Sequence, residues 1–349
     1  MRIKIPVENL QPNTVIANDV YNEDFQLLIT NGTLLTPKVL DRLKLFNVEY
    51  VYIDKNDTGH PFTQSKEFIE FKEQFIEISN SLQHSLKCIA ESGIYEDSLT
   101  TVIENCLELY NSSSTSYSIF DMLHHMRDFS DATFVHSINV GMISAIIGRW
   151  ANKSLADEKL LLTCGLLHDI GKLLIPPEIL NKPEKLTAEE FEIMKTHTTK
   201  GYELLKNLPI DEHIKNCALM HHEKINGSGY PYGLKGDKID DLAKIITIAD
   251  IYDALTATRV YRGPICPFDV IELFERDGFL FYDTKYLLIF LQNIINSYLH
   301  SQVALSNGSH GEIIMVNVNN LSKPIIHAGD EFIDLSKEQS IKIKEILNN

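Results

Sequence analysis

The sequence predicts a mainly α protein: an all-helical central domain with a small β-rich module on its N-terminal side and a short β appendage on its C-terminal side. Three observations predict it. Apolar residues at Phe68, Phe71, Phe75, Ile78, Leu82, Leu86 and Ile89 keep the three/four spacing of one face of a long helix. Helix-start signals recur through the middle of the chain, Ser154 with Asp157 three residues on and Thr187 with Glu190 three residues on, the second a full capping-box match. Short β-branched or apolar runs beside turn residues are confined to the two ends.

In chain order, residues 1–58 form the β-rich module. Val15-Ile16, Gln26 to Thr30 and Val48 to Ile53 are its strands, Asn31-Gly32 marks a turn, and Pro37 to Leu45 is an intervening short helix. Residues 59–115 are a helical linker whose apolar stripe needs a cover, either the next helix of the same chain or, through residues 65–90, a second copy in a homodimer. Residues 116–300 are the main helical domain. Residues 301–349 change character again: Gly311 to Val318 and Lys323 to Ile326 read as a pair of strands, followed by a final short helix at Lys337 to Leu347.

Composition narrows the class of protein. The 349 residues suffice for two or three domains with sizeable cores, and 44% hydrophobic with 23% charged residues is the balance of a folded globular chain. The formal net charge of −16 argues against a general nucleic-acid or anionic-membrane binder, so an anionic substrate needs a local positive site. The first residues lack the apolar stretch of a signal peptide, and the longest apolar run, Tyr286 to Leu291, is far too short to cross a membrane. Cys88, Cys106, Cys164, Cys217 and Cys266 are scattered, with no CxxC pair, as expected of reduced thiols in a cytoplasmic protein.

The chemistry lies in the histidines. Six of thirteen fall between His136 and His222, and the ordered set His136, His168-Asp169, His197, His221-His222 and Asp250 offers seven donors, too many for one ion. His168 and Asp169 end the apolar stretch Leu160 to Leu167 and precede Gly171 and Lys172, which places them at a helix end facing a polar cavity. Adjacent side chains point apart. Asp169 can therefore give one oxygen to each of two metals, with His136, His168 and Asp250 on one side and His197, His221 and His222 on the other. Imidazole and carboxylate donors without thiolate favour iron or manganese, with zinc, nickel or cobalt as alternatives. Two such ions sharing a water suit phosphodiester hydrolysis.

Three segments carry a resemblance: LLHDIGKLLIPPEILNKPEKLTAEEF, HHEKINGSGYPYGLKG and IADIYDALTATRVYR. Together they resemble the HD-GYP family of HD-superfamily phosphohydrolases, over about Phe134 to Leu291. The resemblance implies an all-helical catalytic domain that hydrolyses cyclic di-GMP to pGpG, or onward to GMP, and implies that the seven donors bind metal. Asp169 and Lys172 would be catalytic, Lys172 at the scissile phosphate rather than a surface cation. Gly227, Gly229, Tyr230 and Pro231 match the GYP loop, where glycine permits positive φ and close approach to a ligand. Arg259 and Arg262 match a cationic pair for phosphate oxygens or a guanine edge, unless they only solvate a helix end. Asp253, one turn beyond Asp250, would bond a metal ligand or brace Arg259.

Two positions depart from the pattern. Some members carry a Glu four residues before the first His as a third-metal ligand; here Ala132 stands there, which predicts a binuclear centre. Asn226 replaces the usual Asp after HHE, altering the loop's hydrogen bonding without removing a ligand. Two further readings stay open: a cyclic-nucleotide-responsive binding or scaffold module without useful turnover, and an HD hydrolase acting on another cyclic dinucleotide.

Overall fold

The structure is a computed structural model. It describes residues 2–7, 10, 16, 20–21, 27–29, 40, 43–46, 48, 50–54, 66–93, 97–112, 119–120, 122–123, 126, 132–182, 184–257 and 265–347. The chain divides into two compact units, residues 1–69 and residues 70–347.

In the first unit, strand β1 (Arg2–Pro6) pairs antiparallel with β4 (Tyr50–Asp54), Arg2 opposite Asp54 and Pro6 opposite Tyr50, and β2 (Val20–Tyr21) pairs with β3 (Leu27–Ile29). Strands at Gln26–Thr30 and Val48–Ile53 were expected, and β3 and β4 fall there. β1 was not expected, although its alternating Ile3 and Ile5 carry the strand period. Ile16 lies in an isolated bridge, and Leu40 and Leu43–Leu45 are helical, in the segment expected to be a helix. The Asn31-Gly32 turn lies outside the described residues. Val7, Leu10, Ile16, Val20, Ile29, Leu43 and Val51 form this unit's core.

The long helix α1 (Lys66–Ser92) follows, then α2 (Asp97–Ser112). All seven residues of the apolar stripe, Phe68 to Ile89, are buried. The second unit is built around α3 (Ala132–Trp150) and α4 (Leu155–Leu167), whose residues are mostly inaccessible, with α9 (Asp241–Thr256) against α3. Between α4 and α9 run the short helices α5 (Pro177–Leu180), α6 (Ala188–Lys195), α7 (His197–Leu205) and α8 (Glu212–Met220). Both anticipated helix starts are capping boxes: Ser154 and Asp157 bond each other's backbone N–H, as do Thr187 and Glu190. Asp does at the first what Glu does at the second.

Beyond α10 (Pro267–Leu273), a π-helical turn leads to α11 (Phe279–Phe281) and α12 (Thr284–Ser297). The C-terminal segment departs from expectation. It is a five-stranded antiparallel sheet in the order β8-β7-β6-β5-β9, formed by β5 (Gln302–Leu305), β6 (His310–Met315), β7 (Ile325–Ala328), β8 (Glu331–Asp334) and β9 (Ile343–Leu347). The expected final helix at Lys337 to Leu347 is corrected to a turn segment followed by strand β9. Ile341 and Ile343 alternate with Lys342 and Lys344, a strand period, and pairing of β9 with β5 buries Ile343. Glu275 and Glu272 fasten the sheet to the helices: Glu275 accepts from the Leu321 and Ser322 N–H groups at 2.6 and 3.1 Å, and Glu272 pairs with Lys323 and Lys342 at 3.2 and 3.1 Å.

Candidate metal centre

The His168-Asp169 pair sits where α4 gives way to a 3₁₀ turn, Ile170–Leu174. His168 is fully inaccessible and Asp169 nearly so, at 0% and 3%. Glycine makes this junction possible: a Cβ on Gly171 would lie 1.9 Å from the His197 carbonyl oxygen, so only glycine lets the Asp169 turn press against the start of α7. His136 comes from α3, His221 and His222 follow α8, and Asp250 comes from α9. Five helices and one turn thus converge.

Their donor atoms fall into the two trios anticipated from the chain order. His136, His168 and Asp250 form one, and His197, His221 and His222 the other, the atoms of each within 4.8 Å of one another. Asp169 stands between. Its Oδ2 is 3.6 Å from His136 Nε2 and 3.3 Å from His168 Nε2, while Oδ1 is 3.4 Å from His197 Nε2 and 3.7 Å from His221 Nε2. Oδ2 also receives the Lys172 ammonium in a short ion pair. On the open side, His222 Nδ1 lies 3.7 Å from Asp250 Oδ2.

The hydrogen bonds around the histidines decide which nitrogen is available. Nδ1 of His168, His197 and His221 donates to the carbonyls of Gly165, Met194 and Cys217 at 2.7, 2.7 and 2.9 Å. A carbonyl can only accept, so each Nδ1 carries the proton and each Nε2 presents a lone pair inward. Two of those lone pairs, on His197 and His221, face each other across 3.2 Å. Facing lone pairs repel unless a cation or proton lies between them. His168 Nε2 and Asp169 Oδ1 are likewise buried without a hydrogen-bond partner, a costly arrangement for groups that no water reaches. The donor set therefore fits a metal.

Electrostatics agree. Burial pushes His197 down to about 3, and pushes His168 and His222 down as well, so these imidazoles are neutral and ligand-competent at neutral pH. Burial pushes Asp169 up, but the Lys172 ammonium beside it outweighs burial and holds the carboxyl well below its usual range. Asp250 is likewise held low, against burial, chiefly by His136. For His136 burial acts downward, yet Asp250 and Asp253 together prevail and push it up to about 9.

Two residues around the cluster have roles that motif spacing alone did not fix. Asp253, expected to bond a ligand or brace Arg259, accepts from His136 Nδ1 at 2.7 Å and from Asn139 Nδ2 at 3.0 Å. Glu223, the third residue of HHE, is buried and accepts from the backbone N–H groups of Tyr232 and Leu234 at 2.7 and 2.9 Å, closing the glycine-rich loop beside His222. The signal for Glu223 was available: an acidic residue directly after the His221-His222 pair needs a donor once it is buried, and the loop's backbone supplies it.

That loop is folded over the cluster. Tyr230 N–H donates to the His222 carbonyl at 3.1 Å, and the Tyr230 ring lies over the His222 ring at 4.7 Å. The Tyr230–Pro231 bond is cis. Gly227 takes φ +82°, whereas Gly229 is required by space: a Cβ there would lie 2.5 Å from the His222 oxygen. Asn226 Oδ1 accepts from both the N–H and the hydroxyl of Ser228, at 3.0 and 2.7 Å, so the amide supplies a turn that a carboxylate oxygen would equally serve. Arg259 and Arg262 lie outside the described residues. Ala132 is the first residue of α3, and alanine carries no side-chain oxygen for a third ion.

Comparison with known proteins agrees with this architecture. The chain is 40% identical over 172 residues to a cyclic di-GMP phosphodiesterase of Thermotoga maritima, covering 49% of this chain and 42% of that protein. It is 37% identical over 148 residues to a 3'3'-cGAMP-specific phosphodiesterase of Vibrio cholerae, covering 42% of this chain and 34% of that one. The chain thus spans less than half the length of either relative. An HDG"Y"P protein from Bdellovibrio bacteriovorus superposes with a TM-score of 0.54 at 17% identity, covering 83% of this chain and 98% of that one, a likeness of fold. The HD-domain profile matches residues 104–281, half of the chain, and encloses every histidine and aspartate of the cluster. The chain belongs to the HD-domain family.

Proposed function

We propose that the chain is a metal-dependent phosphodiesterase that opens a phosphodiester bond of cyclic di-GMP to give pGpG, with GMP as a further product, at a binuclear His/Asp centre. The observation that carries this reading is the division of Asp169: one oxygen faces His136 and His168, the other His197 and His221. Iron or manganese suits these donors best, with zinc, nickel and cobalt compatible.

A bound pair of divalent ions supplies hydroxide near neutral pH and an electrophilic hold on a phosphoryl oxygen. The chain's own groups do the rest. Asp169 keeps the two trios in register. Lys172, whose side chain is partly exposed, carries its ammonium from Asp169 toward a phosphate oxygen of the substrate. Gly229, Tyr230 and Pro231 roof the His222 side and limit water there, and Arg259 and Arg262 take the remaining phosphate oxygens or a guanine edge.

The two relatives above are named for different cyclic dinucleotides, which supports a second reading in which the preferred substrate is a cyclic dinucleotide other than cyclic di-GMP. The surplus of acidic residues lies outside the site: between His168 and Arg262, 15 acidic and 13 basic residues nearly cancel. One small phosphodiester is then acceptable where long polyanions and anionic membranes are not. Among the described residues no helix is long and apolar enough to cross a membrane.

The test is turnover of cyclic di-GMP and 3'3'-cGAMP by protein loaded with Mn²⁺ or Fe²⁺ without oxygen, with products separated by chromatography. Conversion of cyclic di-GMP to pGpG is expected. Faster cleavage of 3'3'-cGAMP selects the second reading, and binding without product from either overturns the enzyme assignment.

A further inference from the structure

Helix α6 is unusual among its neighbours. None of its eight residues is buried, although it carries Phe191 and Ile193. Burial does not hold it in place; polar ties do. Its N-terminus is closed by the Thr187/Glu190 capping box, and the Glu190 carboxylate also takes the Lys182 ammonium at 2.7 Å. At the other end the Met194 carbonyl accepts from His197 Nδ1, so the helix is bonded directly to a member of the metal-binding cluster. A helix fixed this firmly and packed so little serves by the face it displays.

That face leads to the cluster through a chain of rings. Phe191 is 47% exposed, and its ring meets Tyr230 nearly edge-on, centroids 6.4 Å apart at 78°. Tyr230 lies in turn over His222 at 4.7 Å. The Lys195 ammonium stands over both aromatic rings, 5.5 Å from Phe191 and 5.8 Å from Tyr230, and is steadied by Glu192 at 2.6 Å. The rings form a nearly right-angled corner with a cation beside it, Phe191 exposed to solvent and Tyr230 against His222. An exposed phenyl ring beside a phosphodiester site matches the flat face of a nucleobase, because stacking needs area and little hydrogen bonding. The neighbouring ammonium suits a purine edge that presents two acceptors, as guanine does with O6 and N7.

We infer that Phe191, in the corner it makes with Tyr230 and Lys195, is a base-stacking subsite that holds one purine of a cyclic dinucleotide while its phosphodiester lies at the metal centre. This inference rests on the phosphodiesterase reading and adds to it a residue that fixes substrate affinity. The ring partner of Phe191 is Tyr230, which lies outside the His/Asp cluster, so its role is separable from metal binding.

The test uses the full chain loaded with Mn²⁺, with KM and kcat for cyclic di-GMP measured separately. Phe191→Ala is expected to raise KM about five- to tenfold, the loss of one base stack, while kcat changes less than about twofold and metal content stays at the wild-type level. Phe191→Trp is expected to restore the low KM, and Phe191→Leu, which keeps apolar bulk without a flat face, is not. If the wild-type protein cleaves cyclic di-GMP but Phe191→Ala leaves KM unchanged, or Leu rescues as well as Trp, the subsite is overturned and the phosphodiesterase reading stands. If the wild-type protein neither binds nor cleaves a cyclic dinucleotide, both fall together.

Discussion

The Asp253 carboxylate accepts a 2.7 Å hydrogen bond from Nδ1 of His136, which aims Nε2 of that histidine at Asp169 and Asp250, 3.6 and 3.0 Å away. Its second oxygen is taken by Asn139, so the carboxylate is held from two positions on α3. A partner of this kind orients a ligand and raises its basicity, and its removal typically weakens metal binding roughly 10- to 100-fold. Asp253→Ala should show that loss in a chelator-competition titration, with Asp253→Asn intermediate because its amide oxygen still accepts. Wild-type affinity in Asp253→Ala would show that His136 needs no orienting partner.

In the proposed mechanism Asp169 and Lys172 separate metal binding from substrate handling. Asp169 faces all four of His136, His168, His197 and His221, whereas Lys172 is ion-paired to the Asp169 carboxylate. Asp169→Ala should lower metal content on elemental analysis and abolish turnover. Lys172→Ala should retain its metal and lose turnover by about two orders of magnitude, the effect of losing one charge-stabilising donor. Metal loss in Lys172→Ala would instead make the lysine part of the ligand framework.

The cluster was more legible in the sequence than the flanks, for a physical reason. Histidines and aspartates gathered from separate helices leave a record in residue type, since a buried His or Asp is costly without a partner, and His168, His197, His221 and Asp250 carry that mark. Glu223 and Asp253 carry it too, but their partners are a backbone segment and a ligand nitrogen, which no spacing encodes. The C-terminal sheet shows the opposite case. Five short strands hold together by pairing and by Glu272 and Glu275 on a distant helix and turn, so local propensity alone read Lys337 to Leu347 as a helix. The alternation of Ile341 and Ile343 with lysines was visible, and it loses its ambiguity only beside β5.

Glu223 offers a test of whether the glycine-rich loop matters to catalysis as a held object. Both of its oxygens are occupied by loop N–H groups, at 2.7 and 2.9 Å, and hydrogen bonds to a charged acceptor are worth about 1.5–3 kcal/mol each. Glu223→Gln keeps one acceptor and loses the charge. It should lower kcat/KM for a cyclic dinucleotide about tenfold or more at full metal content, and speed proteolysis within residues 226–236. An unaltered digestion rate would mean that the loop is held by Tyr230 and Asn226 without the carboxylate.

His213 supplies a pH-dependent contribution to stability away from the metal cluster. Its Nδ1 lies 3.0 and 2.8 Å from the two oxygens of Asp240, and that hydrogen bond raises the imidazole above its ordinary value; partial burial opposes it, and the charges of Asp240, Asp211 and Asp241 add to it. A group whose folded value lies above its unfolded one stabilises the fold fully below the unfolded value, about 6.5 for histidine, and the contribution is lost as pH rises through the folded value. The wild-type protein should therefore exceed His213→Gln in thermal midpoint by more at pH 5.5 than at pH 9, both measured without metal. The gap should be modest, because half of the imidazole faces solvent. A gap that widens toward high pH would reverse the sign of the coupling and remove Asp240 as its source.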